Sequence, residues 1–281
     1  MLTDPFELHK PKDIAELNRS VQQLTNWRLL AGGTFLINNL KAAKRRGRKS
    51  PDHIISLKHI PDLCGVATKN DVLTIGSMTT LTGIAEDNGI AAAFPVLKKA
   101  CLGIGTTQIR NMATIGGNLT CRYTWTELPA VMIALEATLT FLEADKENEL
   151  SAEQFFANEA KSKGVLTAIS IPLKNERRVS YQRAVRTPGI DTPMLAVTAA
   201  LETDGERISS SRIVINTGVT FPKRDKAVEE FLNGKPIDKE LGEMAQEHMT
   251  GPIYETDDDY KKHMYSVSIR NAINDAIKGQ C

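Results

Sequence analysis

Apolar residues recur at helical spacing across residues 11–24, where Ile14, Leu17, Val21 and Leu24 follow a first turn containing Asp13. An amphipathic helix is expected there. Residues 27–31 (WRLLA) are a short apolar run that reads as a strand and leads directly into Gly32-Gly33-Thr34, after which residues 35–41 have helical composition. HIISLKHI and the alternating VLTIGS read as strands, and Thr79 or Thr80 stands where it would cap a helix reaching about Asn88. Pro95 suits the first turn of another helix, closed by Gly103 and Gly105.

A second glycine pair, Gly116-Gly117, follows the β-branched Thr114-Ile115 and reads like the first, as a tight turn after a strand. Thr126 is placed as an N-cap, with Glu127 in the first turn and Pro129 behind it, for a helix through Glu136. ATLTFLE at 137–143 and GVLTAISIPL at 164–173 read as strands. The polar stretch 174–178 is the best boundary, dividing the chain into residues 1–174 and 175–281. Beyond it come Tyr181, a Thr187-Pro188-Gly189 loop, strands at 194–201 and 212–218 joined by an Asp204-Gly205 turn, and helices at 225–232, 238–249 and 258–277. Helices and strands thus mix in an α+β pattern.

Composition narrows the function more than the fold. The chain has 281 residues, 41% hydrophobic and 25% charged, with 35 basic against 34 acidic side chains and a formal charge of +1, so it carries no bulk field for nucleic acid or an anionic membrane. At 5%, aromatic residues are too sparse to suggest base stacking. No apolar run approaches the roughly 20 residues that span a bilayer, and the N-terminus lacks the signature of a signal peptide. A cytoplasmic location without membrane insertion is expected. Cys64, Cys101, Cys121 and Cys281 lie 37, 20 and 160 residues apart, too far for a zinc or iron–sulfur motif, and read as reduced thiols. Any redox chemistry would need an organic cofactor or a partner's metal. The run KAAKRRGRK at 41–49 has six cations in nine positions, which fits an anion-binding patch but also a solvated loop.

The two glycine pairs carry the candidate chemistry. Glycine lets a backbone approach a ligand closely, and successive N–H groups can cradle a diphosphate, with Thr34, Thr114 and Asn118 as neutral donors. By spacing alone, the same glycines serve equally well as plain tight turns. Neither pair fits the dinucleotide or P-loop fingerprints, there is no serine elbow or H-E-x-x-H, and the five histidines are scattered and read as surface residues.

Four stretches taken together, AGGTFLINNLK (31–41), ISLKHIPDLCGV (55–66), LTIGSMTTLTGIA (73–85) and IGTTQIRNMATIGGNL (104–119), resemble the FAD-binding medium subunit of the molybdenum hydroxylases, the family of carbon monoxide dehydrogenase and bacterial xanthine dehydrogenase. The resemblance continues through VLTAISIP and TFPKRDKAVEEFLNGKP and so covers nearly the whole chain. It implies an α+β fold with a PCMH/VAO-type FAD-binding domain of two subdomains, followed by a smaller α+β C-terminal flavoprotein domain. It also implies that Leu29, Leu30, Ala31, Gly32, Gly33, Thr34, Phe35 and Leu36 wrap the FAD diphosphate, and that Thr114, Gly116, Gly117 and Asn118 meet it from the other side. Ile104 and Leu166 would contact the flavin, Glu127 stands where the family has an FAD-binding aspartate, and Gln182 or Arg183 stands where a lysine is usual. No catalytic acid or base and no metal ligand is expected in this chain.

The same resemblance implies partners: a large molybdopterin-binding subunit, and a small subunit whose 2Fe–2S clusters pass electrons to FAD and on to NAD, a quinone or a ferredoxin. The chain departs from the family pattern at Phe35, where an acidic residue or histidine is usual, at TCRYTWTELP, which would bring Arg122, Tyr123 and Trp125 near the flavin edge, and at Thr192 after Asp191. These changes bear on the ring environment more than on the diphosphate. Two other readings share the glycine loops: a free-standing PCMH-type flavin oxidoreductase, and a subunit that has lost flavin and serves as a scaffold.

Overall fold

The computed structural model describes residues 3–157, 164–187, 190–249, 256 and 258–281. Three sheets organise the chain. In the first, β1 (Glu7–His9), β2 (Trp27–Leu30) and β3 (His53–Ser56) run parallel in the order β1-β3-β2, with α1 (Ile14–Gln23) and α2 (Leu36–Arg45) as the connections. Asp13 caps α1 by accepting the Glu16 N–H. Leu17 from α1, with Ile55, Leu57, Ile60 and Leu63, fills a small core of its own.

The second sheet is antiparallel, in the order β4-β5-β8-β6-β7: β4 (Val66–Lys69), β5 (Val72–Gly76), β6 (Thr138–Glu143), β7 (Lys146–Ser151) and β8 (Val165–Pro172). Between β5 and β6 the chain folds through six short helices, α3 (Leu81–Glu86), α4 (Asn88–Ala93), α5 (Pro95–Gly103), α6 (Thr107–Met112), α7 (Ile115–Thr120) and α8 (Leu128–Ala134); α9 (Ala152–Ala157) follows β7. Thr80, Asp87, Thr106 and Thr114 cap α3, α4, α6 and α7 with their side chains, which lets such short segments satisfy their first N–H groups. The helix expected from Thr79 or Thr80 to about Asn88 is α3, capped by Thr80 and ending at Glu86, because Asp87 starts a new one.

The third sheet, also antiparallel, runs β12-β11-β10-β9: β9 (Arg177–Ala184), β10 (Leu195–Thr203), β11 (Ile208–Asn216) and β12 (Lys223–Arg224). On one face pack α10 (Lys226–Leu232), α11 (Leu241–Ala245) and α12 (Asp259–Ile277), sharing a core with Val197, Leu201, Ile213 and Ile215. On the other face Tyr181, Ala196, Ala200 and Val214 join the main core, which also holds α5 and α8. Every residue of α8 is buried; it packs against β10 and β11 of the third sheet on one side and against α5, α7 and α9. Of the expected Thr187-Pro188-Gly189 loop, Pro188 and Gly189 lie outside the described residues. No described helix is long and apolar enough to cross a membrane.

Candidate functional site

A cavity of about 440 Å³ opens between the first two sheets, within the range of roughly 300–1,000 Å³ typical of small-molecule sites. It lies at the carboxyl ends of β2 and β3, the usual place for a ligand in a parallel sheet. One wall is the loop from β2 into α2 with Leu57; the other is built from Ser77 and Met78 after β5, Val165 and Leu166 of β8, and the stretch from Ile104 to Asn118.

The two glycine pairs do different work. In the first, a Cβ on Gly32 would overlap the Met112 carbonyl oxygen at 1.8 Å, so this glycine lets the two walls touch. Gly33 has φ +74° and turns the chain into α2, where the Ile37 N–H reaches the Gly33 carbonyl. The N–H groups of Gly32, Gly33, Thr34 and Phe35 have no hydrogen-bond acceptor among the described residues, and Phe35 provides no side-chain cap to α2. An uncapped helix start preceded by free N–H groups is an anion site, favoured by the helix dipole.

The second pair lies inside the first turn of α7, capped by Thr114, and no strand precedes it; Thr114 makes only an isolated bridge to Thr80. Its N–H groups are already used: Gly116 donates to the Ser77 carbonyl, Gly117 to Thr114 Oγ1 and Asn118 to the Thr114 carbonyl. The expectation that both loops offer backbone donors is thus corrected for this one. It offers side chains instead. Ser77 Oγ and Asn118 Oδ1 are buried at the cavity wall without a hydrogen-bond partner, while the one other such atom among the described residues, Thr198 Oγ1, lies on β10. Buried polar atoms in native proteins are nearly always paired, so two orphans facing one cavity point to a polar ligand.

The sequence model of one family, described as the FAD binding domain in molybdopterin dehydrogenase, matches residues 4–174. The chain belongs to this family. It is similar to the medium chain of carbon monoxide dehydrogenase from Afipia carboxidovorans, 28% identical over 287 residues and covering 98% of each. It is similar also to the medium chain of glyceraldehyde dehydrogenase from Sulfolobus acidocaldarius, 26% identical over 245 residues, 86% of this chain and 85% of that one. Among solved structures, a carbon monoxide dehydrogenase from Hydrogenophaga pseudoflava that lacks the Mo-pyranopterin moiety of its molybdenum cofactor superposes with a TM-score of 0.88 at 26% identity, covering all of both chains.

As a medium subunit of this oxidoreductase family, the chain has FAD as its cofactor, and its fold is the α+β PCMH type that the resemblance implied. The cavity fits such a group, with unpaired donors on one wall and orphaned polar side chains on the other. Leu29, Ala31, Gly32, Gly33, Thr34, Phe35, Leu36, Ile104, Thr114, Gly116, Gly117, Asn118 and Leu166 all line it. Leu30 does not; its Cδ1 lies 3.3 Å from where a Gly33 Cβ would be, beneath the turn. Arg28, Ser77 and Trp125 line the wall as well. No local sequence signal marks Ser77 as a ligand residue, because the bond from the distant Gly116 N–H to its carbonyl ties it to the site.

Glu127, Gln182 and Arg183 are outside the lining. Thr126 does not cap α8 by its side chain, since its hydroxyl donates to the Tyr123 carbonyl, and Glu127 itself occupies the N-cap position without a capping bond. The Glu127 carboxylate receives the Tyr181 hydroxyl and, at 3.0 Å, Arg183 Nε. Burial pushes its pKa up to about 7 against the opposing pull of Arg183. Arg183 also donates to the Asp191 carbonyl, and Gln182 to Asp275 of α12. These three residues join α8 to the third sheet and its surroundings.

The aromatic departures divide likewise. Phe35 meets Tyr123 edge-on at 4.7 Å between ring centres, and Tyr123 stacks on Trp125 at 4.9 Å, so a three-ring ladder stands at the cavity with Trp125 half exposed. Arg122 turns away. Its guanidinium lies over Phe155 and Phe221, in the wall of an adjoining cavity of about 960 Å³ that none of the candidate cofactor residues lines.

Proposed function

We propose that this chain is the flavin-bearing medium subunit of a complete molybdenum hydroxylase. In this reading it carries electrons from the 2Fe–2S clusters of a small partner subunit through FAD to an external acceptor such as NAD, a quinone or a ferredoxin. Molybdopterin and the organic substrate belong to a large partner subunit. The N–H groups of Gly32, Gly33, Thr34 and Phe35 hold the diphosphate, Asn118 and Ser77 supply the opposite polar contacts, and Leu29, Leu36, Ile104 and Leu166 surround the apolar part of the cofactor. FAD supplies the redox chemistry when bound, at its ring; the protein binds it, orients it and tunes it.

The observation that carries the reading is the pairing of an unpartnered N–H row with orphaned Ser77 and Asn118 across one cavity. A flavin-free scaffold has no use for either. The lining also speaks against a free-standing flavoenzyme, since among the described residues it contains no carboxylate, histidine, lysine or tyrosine to move a proton, and its described thiol, Cys121, is held protonated by burial. The division into an FAD-binding domain, 1–174, and a C-terminal flavoprotein domain, 175–281, is supported by the end of the family match and by the change of sheet between β8 and β9. Work in the cytoplasm is in keeping with four unbridged cysteines.

The test is isolation of the native assembly through this chain. A large molybdopterin-containing chain and a small iron–sulfur chain should copurify with it. A flavin-loaded chain that arrives alone and oxidises an organic substrate by itself would overturn the reading.

A further inference from the structure

We propose that Glu7, His9 and His53 form a binding site for a divalent transition-metal ion of the zinc class, at the outer edge of the first sheet. None of the three lines the cofactor cavity. Their convergence follows from strand geometry. Glu7 and His9 are two residues apart on β1 and so share a face of the sheet, and the parallel register pairs Glu7 with His53 on β3, which brings the second imidazole to that face.

The ligand atoms lie at metal-binding separations. His9 Nε2 is 3.1 Å from His53 Nδ1, Glu7 Oε1 is 3.7 Å from His9 Nε2, and Glu7 Oε2 is 3.4 Å from His53 Nδ1. Bonds of about 2.0–2.1 Å in a tetrahedron place ligand atoms about 3.3–3.4 Å apart, and the three observed distances bracket that edge. Without a metal, two ring nitrogens facing each other at this distance must share one proton, because two N–H groups would repel. A cation takes both lone pairs, and the Glu7 carboxylate offsets part of its charge. Both histidine side chains are mostly buried, at 22% and 24% exposure, and the more exposed Glu7 carboxylate already lies against both rings. Two imidazoles and one carboxylate suit zinc and its borderline neighbours rather than magnesium or calcium, and three protein ligands leave a fourth position for water. Such an ion would pin β1, an edge strand of three residues, to the central strand of the sheet whose other neighbour, β2, leads into the first glycine loop.

The experiment uses the untagged chain after removal of metal, with Zn²⁺ titrated against a chromogenic chelator and Co²⁺ as a spectroscopic probe. One Zn²⁺ should bind per chain, and Co²⁺ should give the visible absorption of a four-coordinate nitrogen and oxygen site. Glu7→Gln and His9→Gln should each weaken Zn²⁺ by about tenfold or more and abolish the Co²⁺ band, with flavin content unchanged. Glu7→Gln alters an exposed side chain, so the test stands even if His9→Gln fails to fold. Zinc affinity unaltered in Glu7→Gln, or no better than about 1 mM in the parent, would overturn the proposal.

Discussion

Ser77 Oγ and Asn118 Oδ1 are buried without partners at the cofactor wall, and a buried polar atom left unpaired costs about 1–3 kcal/mol. Removing such an atom should therefore not destabilise the flavin-free protein, although it removes a contact from the loaded one. Ser77→Ala is expected to leave the urea midpoint of the apoprotein equal or higher while weakening FAD retention; a lower apoprotein midpoint with unchanged retention would assign Ser77 to packing. The glycines separate by the same logic. A side chain on Gly32 meets the Met112 backbone and should disrupt folding, whereas one on Gly117 meets only Thr114 Oγ1 at 3.0 Å and the Ala31 Cβ at 3.7 Å before growing into the cavity. Gly117→Val should fold and lose FAD, as read by flavin absorbance after gel filtration. Glu127 acts through pH. Its pKa in the folded chain, near 7, lies above its ordinary 4.5, so the folded state keeps a proton that the unfolded state has lost. That contribution to stability is full below about pH 4.5 and fades as pH rises to about 7. Glu127→Gln should flatten the pH dependence of unfolding across that window, and an unchanged slope would contradict the assignment.

Among the elements, α7 shows how much of the site depends on one cap. Thr114 Oγ1 accepts from the Gly117 N–H, and loss of such a cap costs about 1 kcal/mol. In a helix of six residues, that loss should also let Asn118 move. Thr114→Ala is expected to lower stability by about this amount in urea unfolding and to weaken FAD retention along with it. The first glycine loop was legible in the sequence because WRLLA, the glycine pair and the following helix are local signals. The second was only half legible: Thr-Ile before Gly116-Gly117 looks like a strand end, whereas Thr114 caps a helix start whose first two N–H groups go to the distant Thr79 and Ser77 carbonyls. Strand β9 (RRVSYQRA) carries no apolar alternation: Arg177 and Arg183 are half-buried on the Leu135 carbonyl and Glu127, and the exposed Arg178 reaches the Ile277 carbonyl. Strand β7 (KENELS) is a charged, mostly exposed edge, formed through a turn at Ala144 with φ +53°. Neither pattern announces a strand, since hairpin closure and long-range ion pairs decided both.

Across the whole molecule, an ion-pair network joins the end of α8 and α9 to the third sheet. Glu136, just after α8, receives Lys174, Arg177 and Arg212, and Glu153 links Arg212 to Arg224. Partial burial pushes the Glu136 carboxyl up, but Lys174, Arg212 and Arg177 outweigh it and hold it below the ordinary carboxylate value. The stabilisation is therefore present at neutral pH and is lost as pH falls through the lowered pKa. Glu136→Gln should cost about 1–2 kcal/mol in urea unfolding at pH 7, and less in acid; an equal cost at both would remove the network from the account. With 35 basic and 34 acidic side chains the molecule has little net field, so its charges act in such local groups. The cofactor site is the same in kind, a local arrangement of donors and orphaned acceptors built for one ligand. The most direct measurement of that claim is the flavin released when the purified chain is denatured. One FAD per chain, present on isolation or regained on incubation with FAD, is the predicted result. A chain that folds, stays monodisperse and binds no FAD under either condition would contradict it.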